Sequence, residues 1–147
     1  MKRAVGEGPC VTDTKTVTGG AELLGAARAA VRDLLSAEPA DACDTAVLLT
    51  NELVTNAVVH GGGRFILTAE TSGNFLRVNV VDPSEAQPRP LALTSDREHG
   101  RGVAIVDALA TRWGSDLTSR GKIVWFELDL DKWRSASKAV PRNGHTA

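Results

Sequence analysis

One segment restricts the fold more than any other. From Leu48 to His60 the chain is largely apolar, yet Glu52, Asn56 and His60 recur within it at four-residue intervals. At about 100° per residue those three side chains fall in one narrow arc of a helix. Leu48, Leu49, Leu53, Val54, Ala57, Val58 and Val59 take nearly every other direction. A helix that is apolar all round belongs inside a protein. Polar groups held there must be hydrogen-bonded, paired, or bound to a ligand or metal, because an unsatisfied one costs on the order of 1–3 kcal/mol. The stripe is therefore the first place to look for chemistry. Gly61-Gly62-Gly63 stops the helix, and Asp41 or Asp44, beyond Pro39, can cap its start.

The flanking segments supply what such a helix can pack on. Val11 to Val17 alternates as an edge strand, which Gly19-Gly20 breaks. Ala21 to Ala37 has Leu23, Leu24, Ala27, Ala30, Val31, Leu34 and Leu35 at helical spacing. After the triple glycine, residues 64–71 place Phe65, Leu67 and Ala69 on one face, and residues 75–81 do the same with Leu76, Val78 and Val80. Ser72-Gly73-Asn74 is the hairpin turn between them. Residues 82–100 carry Pro83, Pro88, Pro90 and many charges without periodicity, the texture of a lid or binding loop. Such a loop is expected to be mobile without ligand. A helix over 102–110, a strand over 111–118, a turn at 119–121 and a strong strand over 122–130 follow. Helices gathered early, then hairpins, predict an α+β two-layer sandwich: a mostly antiparallel sheet covered by helices on one face.

With 147 residues, 42% hydrophobic and 24% charged, the chain suits one globular domain and not a disordered segment. We expect a loose segment over 1–10, the domain over 11–130, and a frayed basic tail over 131–147 carrying Lys132, Arg134, Lys138 and Arg142. Seventeen Lys and Arg against eighteen Asp and Glu give no basic patch for nucleic acid or an anionic membrane. No run reaches the roughly 20 apolar residues that span a bilayer, and no apolar stretch follows Lys2-Arg3 as a signal peptide would require. Cys10 and Cys43 match no metal or redox spacing. A cytoplasmic location is expected.

Three further segments bear on the stripe. Asp82 closes the apolar run Val78-Asn79-Val80-Val81 beside the loop, either as an acceptor-only carboxylate or as the start of an Asp-Pro turn. Gly100-Arg101-Gly102 precedes a helix, where backbone N–H groups favour phosphate, although a flexible hinge reads the same way. Gly121 to Leu128 is, on its own, a core strand.

Their order is more specific than any one of them. It runs Glu-x-x-x-Asn on a buried helix, a hairpin, a strand-end Asp, a lid, Gly-x-Gly before a helix, and a closing hairpin. This resembles the histidine-kinase-like ATPase superfamily (the Bergerat fold) over about residues 10–130. Within it, the strings Leu49-Thr50-Asn51-Glu52-Leu53-Val54-Thr55-Asn56-Ala57 and His99-Gly100-Arg101-Gly102 are similar to the small anti-sigma factor serine kinases. The resemblance implies ATP and Mg²⁺ as cofactors. Asn56 would hold the Mg²⁺ that bridges the phosphates, and Glu52 would act as general base toward a partner's serine hydroxyl or water. Asp82 would accept a hydrogen bond from the adenine amino group. Gly100 and Gly102 would cradle phosphate, with Arg101 as charge compensation. His60, one turn past Asn56, caps or packs the helix end in preference to touching phosphate. The implied partners are a sigma factor and an anti-anti-sigma antagonist, with a homodimer expected.

The sequence departs from the family pattern twice. Asp82 is followed by Pro83-Ser84-Glu85-Ala86 in place of a glycine-bearing motif, and the position usually held by an adenine-binding Thr falls on Ile123. Losing that hydroxyl would remove one hydrogen bond, about 1 kcal/mol. The alternative function is therefore a non-catalytic protein-binding regulator that uses a degenerate ATP site.

Overall fold

Period-two alternation builds the sheet. In the computed structural model, which describes residues 13–60, 62–83, 104–119 and 121–139, five strands pair in the order β1-β2-β3-β5-β4, every neighbour antiparallel. They are β1 (Asp13–Gly20), β2 (Arg64–Ser72), β3 (Phe75–Asp82), β4 (Arg112–Thr118) and β5 (Gly121–Asp129). Phe65, Leu67 and Ala69 of β2, Leu76, Val78 and Val80 of β3, and Val124, Phe126 and Leu128 of β5 are buried on one face. Asp82 is the last member of the β3 series and is buried with it.

That face is covered by α1 (Leu24–Leu34), which follows a 3-10 turn (Ala21–Leu23), and by α2 (Ala40–His60). Ala27 and Val31 of α1 meet Ala42, Ala46, Leu49, Leu53, Val54 and Ala57 of α2 in one core with the strands. The two-layer α/β sandwich expected from the sequence is the observed fold. Helix α3 spans 104–109 and buries Val106. Its Asp107 accepts a hydrogen bond from Trp113 Nε1 on β4 at 3.0 Å.

The uncovered face carries rows in cross-strand register. Glu70, Arg77, Glu127 and Arg112 form one row over β2, β3, β5 and β4, with opposite charges at each step. Arg77 and Arg112 both reach Glu127, at 2.9 and 2.6 Å, and Arg77 also lies 4.1 Å over the Trp125 ring.

Four expectations are corrected. Gly19-Gly20 does not break β1 but completes it, buried. A Cβ on Gly19 would lie 2.8 Å from Leu23 Cγ, so the pair is there to let the 3-10 turn close on the strand. Neither Asp41 nor Asp44 caps α2. The Pro39 carbonyl accepts from the N–H groups of Ala42 and Cys43, and Asp41 lies inside the first turn, where its charge suits the helix dipole.

Helix α2 is not buried all round. Leu48 and Val59 are 40% and 59% exposed, because a two-layer fold covers a helix only on the sides that face the sheet and its neighbour helix. The tail is not frayed from Lys132. Leu130–Ala139 form helix α4, with the Asp129 carboxylate accepting from Asp131 N–H at its start. Leu130 is buried, Trp133 packs on the core, and Arg134 holds Glu38 through two bonds of 2.7 Å. Residues 1–12, most of the expected lid and 140–147 lie outside the described residues.

Candidate nucleotide site

Glu52 and Asn56 sit one turn apart on α2, but they do not share one environment. At about 100° per residue, Leu48, Glu52, Thr55 and Val59 fall within roughly 60° of each other, and this is the outward arc of the helix. Glu52 is half-buried there. Asn56 lies a further step round, with only 7% exposure. The azimuth of α2 is held from behind: Arg28 on α1 donates to Asn51 Oδ1 at 3.1 Å.

The Asn56 side-chain oxygen is buried and accepts no hydrogen bond from any described residue. An orphaned acceptor of this kind carries a penalty on the order of 1–3 kcal/mol unless something binds it. The Thr50 hydroxyl is also unpartnered, on a different side of the helix. Glu52 makes no ion pair or hydrogen bond with a described residue.

Asp82, at the end of β3, is buried at 6% exposure. Its Oδ1 accepts from the Gly62 backbone N–H at 3.3 Å, so the end of β3 is tied to the chain just past α2. Gly121 fixes the opposite side. Its φ is +131°, and a Cβ there would overlap the Asp82 carbonyl oxygen and sit 3.0 Å from its carbon.

Strand register corrects one assignment. Ile123 pairs with Val81, whereas Lys122 pairs with Asp82. Residues directly opposite share a face, so Ile123 belongs to the uncovered face and Lys122 to the face of Asp82. Sequence reasoning missed Lys122 because nothing local distinguishes one register from its neighbour. His60 is the last residue of α2. Gly100, Arg101 and Gly102 lie outside the described residues, immediately before α3.

Among the described residues no three His, Cys, Asp or Glu side chains converge on a metal position. The donor set instead suits Mg²⁺, which is bound through one or two protein oxygens and completes its shell with phosphate and water. Asn56 Oδ1 is such an oxygen. The site residues therefore fit a magnesium–nucleotide. No helix among the described residues is long and apolar enough to cross a membrane.

Comparison with known proteins agrees with this architecture. The histidine kinase domain of a blue-light activated histidine kinase from Erythrobacter litoralis superposes with a TM-score of 0.56 at 18% identity, covering 80% of this chain. This chain spans 64% of the length of that domain. No curated relative matches the chain. The family model for the histidine kinase-like ATPase domain matches residues 18–128. The chain belongs to the histidine kinase-like ATPase domain family.

Proposed function

We propose that the chain is an ATP- and Mg²⁺-dependent serine/threonine protein kinase of the anti-sigma factor type, which controls transcription by exchanging protein partners. The observation that carries this reading is a buried Asn56 Oδ1, one turn from Glu52, with neither side chain bonded to another described residue. Phosphoryl transfer needs little covalent chemistry from the protein beyond positioning and charge stabilisation. Asn56 would hold the divalent ion from the helix, and that ion would supply charge neutralisation to the phosphates; Asp82 would accept from the adenine amino group. Glu52 takes the proton of a partner's serine hydroxyl as its oxygen bonds to the γ-phosphorus. The bond from that phosphorus to the bridging oxygen breaks, and ADP leaves with the electron pair.

The product explains the switch. A phosphoserine carries a charge of roughly −2 at a surface that had accepted a neutral hydroxyl, so the antagonist is repelled. The sigma factor and the anti-anti-sigma antagonist are the partners of this reading, and a homodimer is its assembly. Neither nucleic acid nor a membrane takes part.

A second reading, a non-catalytic protein-binding regulator, is favoured by Pro83-Ser84 after Asp82, which stand in place of the glycine-bearing family motif. Radiolabel transfer from ATP to a cognate antagonist, repeated with Glu52→Ala, separates the two. Transfer lost in the variant supports the kinase. Transfer undiminished in the variant removes Glu52 as base. Calorimetry showing no binding at millimolar MgATP leaves only the regulator.

A further inference from the structure

We infer that Lys122 is a specificity-determining residue of this site and reads the base together with Asp82; the inference rests on the adenine-nucleotide reading above. Asp82 is the buried end of the series Leu76, Val78, Val80, all on the helix-covered face. Lys122 is its direct cross-strand partner and is half-buried. Side chains directly opposite in an antiparallel pair lie on one face with Cβ atoms on the order of 5 Å apart. A slip of one residue would carry Lys122 to the other face. That slip is resisted at Gly121, where any side chain would overlap the Asp82 carbonyl oxygen, and by the hairpin bond from Thr118 Oγ1 to the Gly121 carbonyl at 2.8 Å.

The two side chains differ in kind. A carboxylate only accepts and an ammonium only donates. Side by side, they present an acceptor next to a donor, and the flexible four-carbon stem of Lys lets the ammonium reach past its own Cβ. The edge of adenine offers the complement: the 6-amino group donates and N1 accepts. A 6-oxopurine in the same pose reverses both, with a carbonyl against Asp82 and an N1–H against Lys122. Lys122 thus donates directly to N1 of a bound adenine nucleotide and disfavours hypoxanthine and guanine.

The test uses the full chain and calorimetric titration with Mg²⁺ complexes of ATP, 1-deaza-ATP (which lacks the N1 acceptor) and ITP. Wild type is expected to prefer ATP to 1-deaza-ATP by about tenfold, the scale of one charge-assisted hydrogen bond. Lys122→Met is expected to lose that preference by weakening ATP alone, and Lys122→Arg to keep part of it. Melting temperatures confirm that each variant folds. Lys122→Met that keeps the wild-type preference, or that weakens both nucleotides by the same factor, overturns the assignment. Asp82→Asn separates this failure from that of the underlying reading. If Asp82→Asn weakens ATP while the ATP to 1-deaza-ATP ratio ignores position 122, only Lys122 is misassigned. If wild type binds no nucleotide, or Asp82→Asn binds ATP unchanged, both readings fall.

Discussion

Gly121 and Asp82 touch through their main chains. The glycine opens β5 with φ at +131° and leaves no room for a Cβ against the Asp82 carbonyl. Asp82 in turn is tied to Gly62 beyond α2. The start of β5, the acid and the chain just past α2 are therefore linked by direct contacts. Gly121→Ala must shift the end of β3, and left-handed strain adds to the clash. We expect a loss of about 1–3 kcal/mol in stability, read by urea denaturation, and a weakening of MgATP larger than that loss explains. Unchanged nucleotide affinity in a destabilised variant would uncouple Gly121 from the site.

Asn56 offers a test in which stability and binding part company. Its buried oxygen accepts no hydrogen bond from a described residue, so its removal forfeits little in the ligand-free fold. Asn56→Ala is expected to change ligand-free stability by no more than about 1 kcal/mol. The same variant should lose the Mg²⁺-dependent rise in melting temperature that saturating ATP gives wild type. A retained rise would contradict Asn56 as the metal ligand.

What could be read from the sequence was what has a local period. Alternation placed β2, β3 and β5 and the faces they bury, and the four-residue spacing placed Glu52 and Asn56 on one helix. Each of these is fixed by residues within a few positions of one another. The errors came from contacts made at a distance. Arg134 looked like one more charge in a solvated tail because its partner, Glu38, lies 96 residues earlier. Leu130 and Trp133, three apart with Asp129 before them, were the available sign of a capped amphipathic turn. Lys122 was missed because it and Ile123 both follow the same turn, and only pairing with β3 decides which faces Asp82. Leu48 and Val59 were expected inside because apolar character does not say which side of a helix a second layer will cover.

The Arg134 clasp should anchor α4. Its guanidinium gives two bonds to Glu38 and one to Asn74 Oδ1 at 3.2 Å. Arg134 also draws the Glu38 carboxyl below its usual range through that hydrogen bond, against an opposing effect of burial. Arg134→Ala is expected to cost about 1 kcal/mol, at the upper end for partly exposed pairs because the geometry is a two-pronged fork. Amide exchange should show faster opening of 130–139 with little change in β3. Protection unaltered over 130–139 would mean that Trp133 and Leu130 hold the helix unaided.

Two carboxylates, Glu38 and Glu127, should contribute acid sensitivity. Burial pushes Glu127 up, but its hydrogen bonds from Arg112 and Arg77 together outweigh that and leave it below the ordinary value of 4.5. Glu38 is lowered as well. A carboxyl depressed in the folded state stabilises it fully above the unfolded value, and that contribution is lost as pH falls through the folded value. Wild type should therefore lose stability as pH drops below 4.5, with little slope from these two groups near neutrality. Glu127→Gln cannot ionise, so it should be less stable than wild type at neutral pH and show a shallower acid-side decline. Glu38→Gln should do the same, and the double variant should sum the two, since Glu38 lies in the connection between α1 and α2, Glu127 lies within β5, and they share no partner. Urea midpoints across the acid range read this directly. An acid slope as steep in the double variant as in wild type would place the pH dependence on other carboxylates and refute the assignment.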